Sequence, residues 1–205
     1  MKLKVCGLTQ GENLKQIVNL KPDYIGYIFF EKSPRFLNHR LPSFSTSTKK
    51  TGVFVNAAID FIVEKIQTYQ LNAIQLHGHE TLEFCRHLKS QSIEIIKAFG
   101  LGSTIDYDII EPYQDVCDYF LFDTKTKQYG GSGQTFDWSL LDSYPFKKSF
   151  FISGGIDADR LIEIKNLKDQ NAYLYGVDIN SQFEIKPGFK DVPKIAQFKT
   201  LIDEL

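Results

Sequence analysis

Eight short runs of apolar, β-branched and aromatic residues recur along this chain, and they constrain its fold more than any other feature. They are LKVC (3–6), YIGYIF (24–29), GVFV (52–55), AIQL (73–76), IEIIKAF (93–99), YFLF (119–122), FFIS (150–153) and LYGVDI (174–179). Several are apolar without a break, as strands covered on both faces must be. Helical patterns fill most of the intervals. Thr9 and Glu12 have capping-box spacing ahead of Leu14, Ile17 and Val18. Ile59, Ile62, Val63 and Ile66 make a stripe, with Asp60, Glu64 and Lys65 on the other side. Leu82, Cys85 and Leu88 make another, and Asp157 is a good N-cap for Leu161, Ile164 and Leu167. Ile195, Phe198, Leu201 and Leu205 predict a terminal helix. The pattern is weak over 40–50 and 100–117, where a short or irregular helix is expected.

Strand–helix alternation, eight times in 205 residues and without a linker, predicts one (β/α)8 TIM barrel spanning residues 1–205. A doubly wound open sheet is the alternative. It would have fewer strands, and GLTQGEN after the first strand lacks the G-x-G-x-x-G dinucleotide spacing. A formal net charge of -1 gives no global field for nucleic acid or an anionic membrane. No apolar stretch is long enough to span a bilayer, and LKVCG shows no signal-peptide pattern. Cys6, Cys85 and Cys117 are odd in number and unpaired in spacing, which predicts reduced thiols in a cytoplasmic protein. No Cys/His cluster has zinc spacing, so no metal site is expected.

In such a barrel the active site forms where the strands end. Cys6, Asn56, His77, Gly78 and Asp123 follow strands one, three, four and six, and Arg35 lies in the loop after strand two. Gly154 and Gly155 follow strand seven. Their backbone N–H groups can approach an anion, and the loops after strands seven and eight often bind phosphate. A plain tight turn is the other reading. DINSQFE after strand eight adds Asn180 and Ser181 as donors. GGSGQTFDW (130–138) suits a ligand-covering loop anchored by Phe136 and Trp138, or a plain connection. Cys6 is either a small buried hydrophobe or, as a thiolate, a base. Asp123 is a cap, a salt-bridge partner or an acid. A thiol and a carboxyl facing one pocket can hold different protonation states. Arg35 can take a carboxylate with two parallel hydrogen bonds, or simply be solvated. His77 is a pocket hydrogen bonder or structural.

Taken together and in order, KVCGLT, YIGYIFFEKSPRF, GVFVN, IQLHGHE, YFLFDT, GGSGQTFDW, ISGGI and GVDINSQFE…PGFKD resemble the motifs of the phosphoribosylanthranilate isomerase family, from Lys4 to Asp191. The resemblance implies a cofactor-free, metal-free Amadori rearrangement of N-(5-phosphoribosyl)anthranilate in tryptophan biosynthesis, by a monomer or homodimer. It implies Cys6 as general base and Asp123 as general acid. Arg35 would hold the anthranilate carboxylate and His77 would line the same pocket. Gly154, Gly155, Asp178, Asn180, Ser181 and Gln182 complete the substrate-binding set. One departure stands out: the family's D-hydrophobic-S-S-G pattern has Asn180 for a serine and Gln182 for the glycine. If that glycine needs a positive φ, Gln182 is strained and phosphate binding weakened. Other readings are a non-catalytic or regulatory phosphosugar-binding barrel, for which Cys6 or Asp123 should be lost, and a related phosphosugar isomerase. Histidine-pathway isomerases of this architecture use paired aspartates, and Cys6 stands in place of one of them.

Overall fold

Parallel pairing runs once around a closed circle. The computed structural model describes residues 1–42, 46–124 and 137–205. In it β1 (Lys2–Cys6), β2 (Tyr24–Ile28), β3 (Lys49–Phe54), β4 (Ala73–Leu76), β5 (Glu94–Leu101), β6 (Tyr119–Thr124), β7 (Phe150–Ile152) and β8 (Leu174–Ile179) each pair with the next, and β8 closes on β1. This is the expected barrel, with each predicted strand in place. The shell is α1 (Gly11–Asn19), α2 (Ile59–Tyr69), α3 (Leu82–Lys89), α4 (Tyr107–Ile110), α5 (Leu161–Gln170) and α6 (Val192–Asp203). A small antiparallel hairpin, β9 (Glu184–Lys186) and β10 (Phe189–Lys190), precedes α6.

The period-2 alternation of a strand sorts side chains between two cores. Leu3 and Val5 of β1, Phe120 and Phe122 of β6, and Val177 and Ile179 of β8 join the core under the helices, with Leu14, Ile62, Leu88, Ile164 and Ile195. Tyr24, Ala73, Ile96, Ala98, Leu121 and Phe151 fill the barrel interior, with Tyr119 and Tyr175 packed against them. Along β8 this sorting needs a correction to the register. Phe150 lies opposite Leu174 but Phe151 lies opposite Gly176, so Tyr175 is an extra residue in β8. Strict alternation from an inward Tyr175 would send Val177 and Ile179 inward. The bulge resets the phase. It lets Asp178 reach the buried Lys4 inside the barrel.

The helices differ from expectation in three places. Thr9 and Glu12 do not form a capping box. Gln10 is the N-cap of α1 and makes no side-chain cap bond, while Thr9 Oγ1 donates to Gly188 O at 3.1 Å. A long-range partner has taken the local capping group. In α6 the buried stripe is Ile195, Phe198 and Ile202, so Leu201 yields its place to its neighbour. Lys65 lies over the Phe61 ring at 4.8 Å rather than facing away from the apolar face. The weak stretch 100–117 is a one-turn α4 followed by a 3-10 turn, Glu111–Asp115. Between β6 and β7 the described helical element is a 3-10 turn, Trp138–Leu141. Trp138 is buried and Arg160 stacks on it at 3.5 Å, which anchors this end of the GGSGQTFDW stretch. Residues 130–136 of that stretch, with its covering-loop reading, lie outside the described residues.

Candidate active site

The ends of β1–β4 and β6–β8 converge on one cavity in the barrel mouth. Cys6, Arg35, His77 and Asp123 line it, as do Gly154, Gly155, Asp178, Asn180, Ser181 and Gln182. The ten residues to which the family resemblance gives a catalytic or binding role are therefore on its wall. Asn56 and Gly78 are not among the lining residues. Asn56 Oδ1 instead accepts from His79 N at 2.7 Å, and Glu80 carboxylate oxygens accept from Asn56 N and Gly78 N. These two residues tie the β3 and β4 loops together.

Cys6 ends β1, two residues after Lys4 and on the same strand face. Lys4 is fully buried, and its Nζ donates to Asp178 Oδ2 at 2.8 Å. Burial opposes the Lys4 charge, but Asp178 and Cys6 outweigh it and hold the ammonium above its usual range. The other Asp178 oxygen, Oδ1, is buried without a partner in a residue that lines the cavity. An acceptor in that state is costly unless something donates to it. Burial pushes the Cys6 thiol up, against the pull of Lys4 and Lys190. If Cys6 acts as a base, kcat/KM should therefore climb with pH towards a midpoint above the ordinary thiol range. A pH–rate profile flat through that range would dissociate Cys6 from the base.

Asp123 sits near the end of β6, 6% exposed. Its Oδ1 accepts from Thr124 N at 2.8 Å, and its Oδ2 lies 3.3 Å from His77 Nε2. Gln75 Nε2 stands 2.9 Å from the other ring nitrogen of His77. The sequence reading omitted Gln75, yet it sits two residues before His77 on β4 and lines the same cavity. Period-2 spacing was the available signal.

Arg35 is held differently from the expectation of an open fork. Glu184 takes its Nε at 3.0 and 2.9 Å and its Nη2 at 2.6 Å. One bidentate edge is thus filled from within the chain, and only the end-on Nη1/Nη2 edge remains for a second carboxylate. Glu184 also accepts from Lys190 Nζ at 2.8 Å and from Gly188 N at 3.0 Å. Neither Glu184 nor Lys190 was singled out from the sequence.

Gly154 and Gly155 have φ of 83° and 64°. A Cβ on Gly154 would collide with Thr124 Oγ1 and meet Asp123 Oδ1 at 3.0 Å, so the backbone passes directly beside the carboxyl. Asp157 accepts from Asp159 N and Arg160 N, which caps the 3-10 turn Ala158–Arg160 ahead of α5. Those N–H groups are spent, and the donors left to an anion are in the glycine turn itself. Across from it, Ser181–Phe183 form a 3-10 turn whose first N–H groups have no partner within the turn. Asn180 Oδ1 accepts from Lys190 Nζ at 2.8 Å, which leaves the amide N–H groups as donors. Gln182 is exposed and is not among the residues with positive φ, so the feared strain is absent. Gln182→Gly should accordingly shift the substrate KM by less than about twofold. A tenfold or larger gain in steady-state assays would show that the side chain obstructs the site.

The family model for N-(5'-phosphoribosyl)anthranilate (PRA) isomerase matches residues 3–200. The chain belongs to this family. An N-(5'-phosphoribosyl)anthranilate isomerase from Parabacteroides distasonis is 41% identical, over 97% of this chain and 91% of that one. The crystal structure of phosphoribosyl anthranilate isomerase from Thermotoga maritima covers 100% of both chains at 33% identity with a TM-score of 0.83. A phosphoribosyl anthranilate isomerase in complex with reduced 1-(o-carboxyphenylamino)-1-deoxyribulose 5-phosphate covers 100% of both at 30% identity, with a TM-score of 0.80.

Proposed function

We propose that this isomerase converts N-(5-phosphoribosyl)anthranilate to 1-(2-carboxyphenylamino)-1-deoxyribulose 5-phosphate with Cys6 as base and Asp123 as acid. One observation carries the assignment. A thiol and a carboxyl face one cavity whose wall holds an arginine from the β2 loop and two anion-accessible turns after β7 and β8. The ligand has a carboxylate at one end and a phosphate at the other. Arg35 takes the first by its end-on edge. The N–H groups of Gly154, Gly155 and the 180–182 turn take the second. Clamping both ends holds the reacting carbons between Cys6 and Asp123.

Asp123 enters protonated and gives its proton to the furanose ring oxygen. The anilino nitrogen lone pair moves to C1 as the C1–O bond breaks, which leaves an open-chain iminium. The Cys6 thiolate takes the proton from C2, and that electron pair forms the C1–C2 double bond of the enolamine. Tautomerisation moves the C2 hydroxyl proton away and delivers one to C1, giving the ketone. Acid and base each contribute about 10²–10⁴-fold. Asp178 Oδ1, the buried unpartnered acceptor, is available to a sugar hydroxyl. Three free thiols fit a cytoplasmic setting.

The test is loss of phosphoribosylanthranilate fluorescence with purified protein in EDTA. Substrate would be made in situ, with an enzyme-free control for spontaneous breakdown. Fast decay is expected. No decay by folded protein would instead support a ligand-binding barrel without turnover.

A further inference from the structure

Lys190 is fully buried, yet its ammonium serves no described step. Its position is fixed with care. Asn13 of α1, itself buried, clamps the backbone of Lys190 at both sides: Asn13 Nδ2 donates to Lys190 O at 2.9 Å, and Lys190 N donates to Asn13 Oδ1 at 2.7 Å. The side chain then donates to Asn180 Oδ1 at 2.8 Å, Glu184 Oε1 at 2.8 Å and Asn180 O at 3.3 Å. Three acceptors around one nitrogen match the three N–H groups of an ammonium. Burial pulls the Lys190 pKa below the ordinary lysine range, and the Glu184 carboxylate bonded to Nζ favours the charge against it.

Charge bookkeeping around Cys6 leaves that cation over. Lys4 is matched one to one by Asp178. Arg35 and Lys190 share a single carboxylate, Glu184. Arg35 holds it with three short contacts and Lys190 with one. Together these two clusters hold three buried cations, Lys4, Arg35 and Lys190, against two buried carboxylates, Asp178 and Glu184, with Asp123 a third buried carboxyl beside them. Asp123 and His77 face each other across the mouth and form a separate pair. The surplus lies close to the thiol. A Cβ placed on Gly7, the residue after Cys6, would stand 2.8 Å from Asn180 Oδ1 and 2.7 Å from Arg35 Cδ. The oxygen that Lys190 grips thus lies next to Gly7, the residue that follows the sulfur. Lys190 and Cys6 also act on each other's titration, each favouring the other's charged form.

We propose that Lys190 is a positioning residue for the general base: pinned by Asn13, Asn180 and Glu184, its ammonium supplies the positive charge that balances Cys6 as a thiolate. The inference rests on Cys6 being the base. Glu184 has a dual part, holding Arg35 for the substrate and Lys190 for the thiol.

The test reads the thiol of the free enzyme directly. Iodoacetamide labelling of Cys6 would be followed against pH, with the Cys6 peptide quantified by mass spectrometry. Lys190→Met should move the labelling midpoint up by about one pH unit, a roughly tenfold loss of labelling rate near neutrality. The acid limb of kcat/KM, which reports the free enzyme, should move with it. Lys190→Arg should keep both near wild type. Glu184→Gln adds a net positive charge and should move the midpoint down. This opposite sign decides the matter if Lys190→Met does not fold. An unmoved midpoint in Lys190→Met with KM raised would assign the charge to the ligand carboxylate and overturn the proposal. Should Cys6 not be the base, Cys6→Ala would retain turnover whatever the labelling shows, so the two failures are distinguishable.

Discussion

Cys6→Ala is expected to lower kcat by about 10²–10⁴-fold with KM little changed. The size follows from the role. Nothing else named on the cavity wall pairs a titratable proton acceptor with two neighbouring ammonium groups. Arg35 and the glycine turn, to which the proposed function assigns the two ends of the ligand, are untouched by the substitution. Binding should therefore persist while the proton transfer from C2 fails, so kcat and kcat/KM fall together. The fold should tolerate the change. The sulfur is a small buried group, and a Cβ on Gly26 of β2 would stand 2.7 Å from it, so the site is tightly built around Sγ. Its loss leaves a cavity worth about 1 kcal/mol. Thermal melting and far-UV circular dichroism would verify that the loss of rate is not a loss of structure. Near-normal turnover in folded Cys6→Ala would remove the thiol from the mechanism and the role of Lys190 with it.

The barrel was legible because its signal is local and repeated. Runs such as AIQL and LYGVDI coincide with β4 and β8 to the residue. Where the reading slipped, partners distant in sequence were responsible. β3 begins at Lys49, ahead of the apolar run GVFV, because Lys49 and Thr51 pair with residues of β2 and β4. Lys49 also reaches Glu94 at 2.6 Å, across 45 positions of sequence. The bulge at Tyr175 has no mark in LYGVDI, though it decides which way Asp178 faces. Thr9 had the spacing for a cap and was claimed by Gly188 instead.

The site divides along the same line. Cys6, Asp123 and the glycine pair follow apolar runs, so their placement could be read from strand ends. The supporting charges could not, because lysine and glutamate read as solvated until a buried partner is known. Lys4 meets Asp178 across 174 positions. One partial signal existed for the rest. Pro187-Gly188 marks a turn, and a hairpin around it brings Glu184 opposite Lys190 as cross-strand partners. That pair, unlike the strand-end residues, has its purpose only in three dimensions. Arg35, which it braces, lies 149 positions from Glu184.

Asp123→Asn should be as damaging as loss of the thiol, for a reason that separates shape from chemistry. Asparagine matches the carboxyl in size and can still accept from Thr124 N through Oδ1, the contact seen at 2.8 Å. The β6 end and the close passage of Gly154 should be preserved, and with them the glycine turn after β7. What the amide lacks is a transferable proton for the ring oxygen. Ring opening then has to proceed without an acid, and kcat should fall by about 10²–10⁴-fold while binding of the reduced product analogue stays within a few-fold of wild type. The measurement is steady-state kinetics beside a titration with that analogue. Turnover near wild type would shift the acid to His77, whose Nε2 stands 3.3 Å from Asp123 Oδ2 and already lines the cavity. A loss of analogue binding equal to the loss of rate would instead make Asp123 a binding residue. Only a fall in kcat with binding retained fits an acid poised opposite the thiolate, because only then is the lost interaction one that the transition state alone makes.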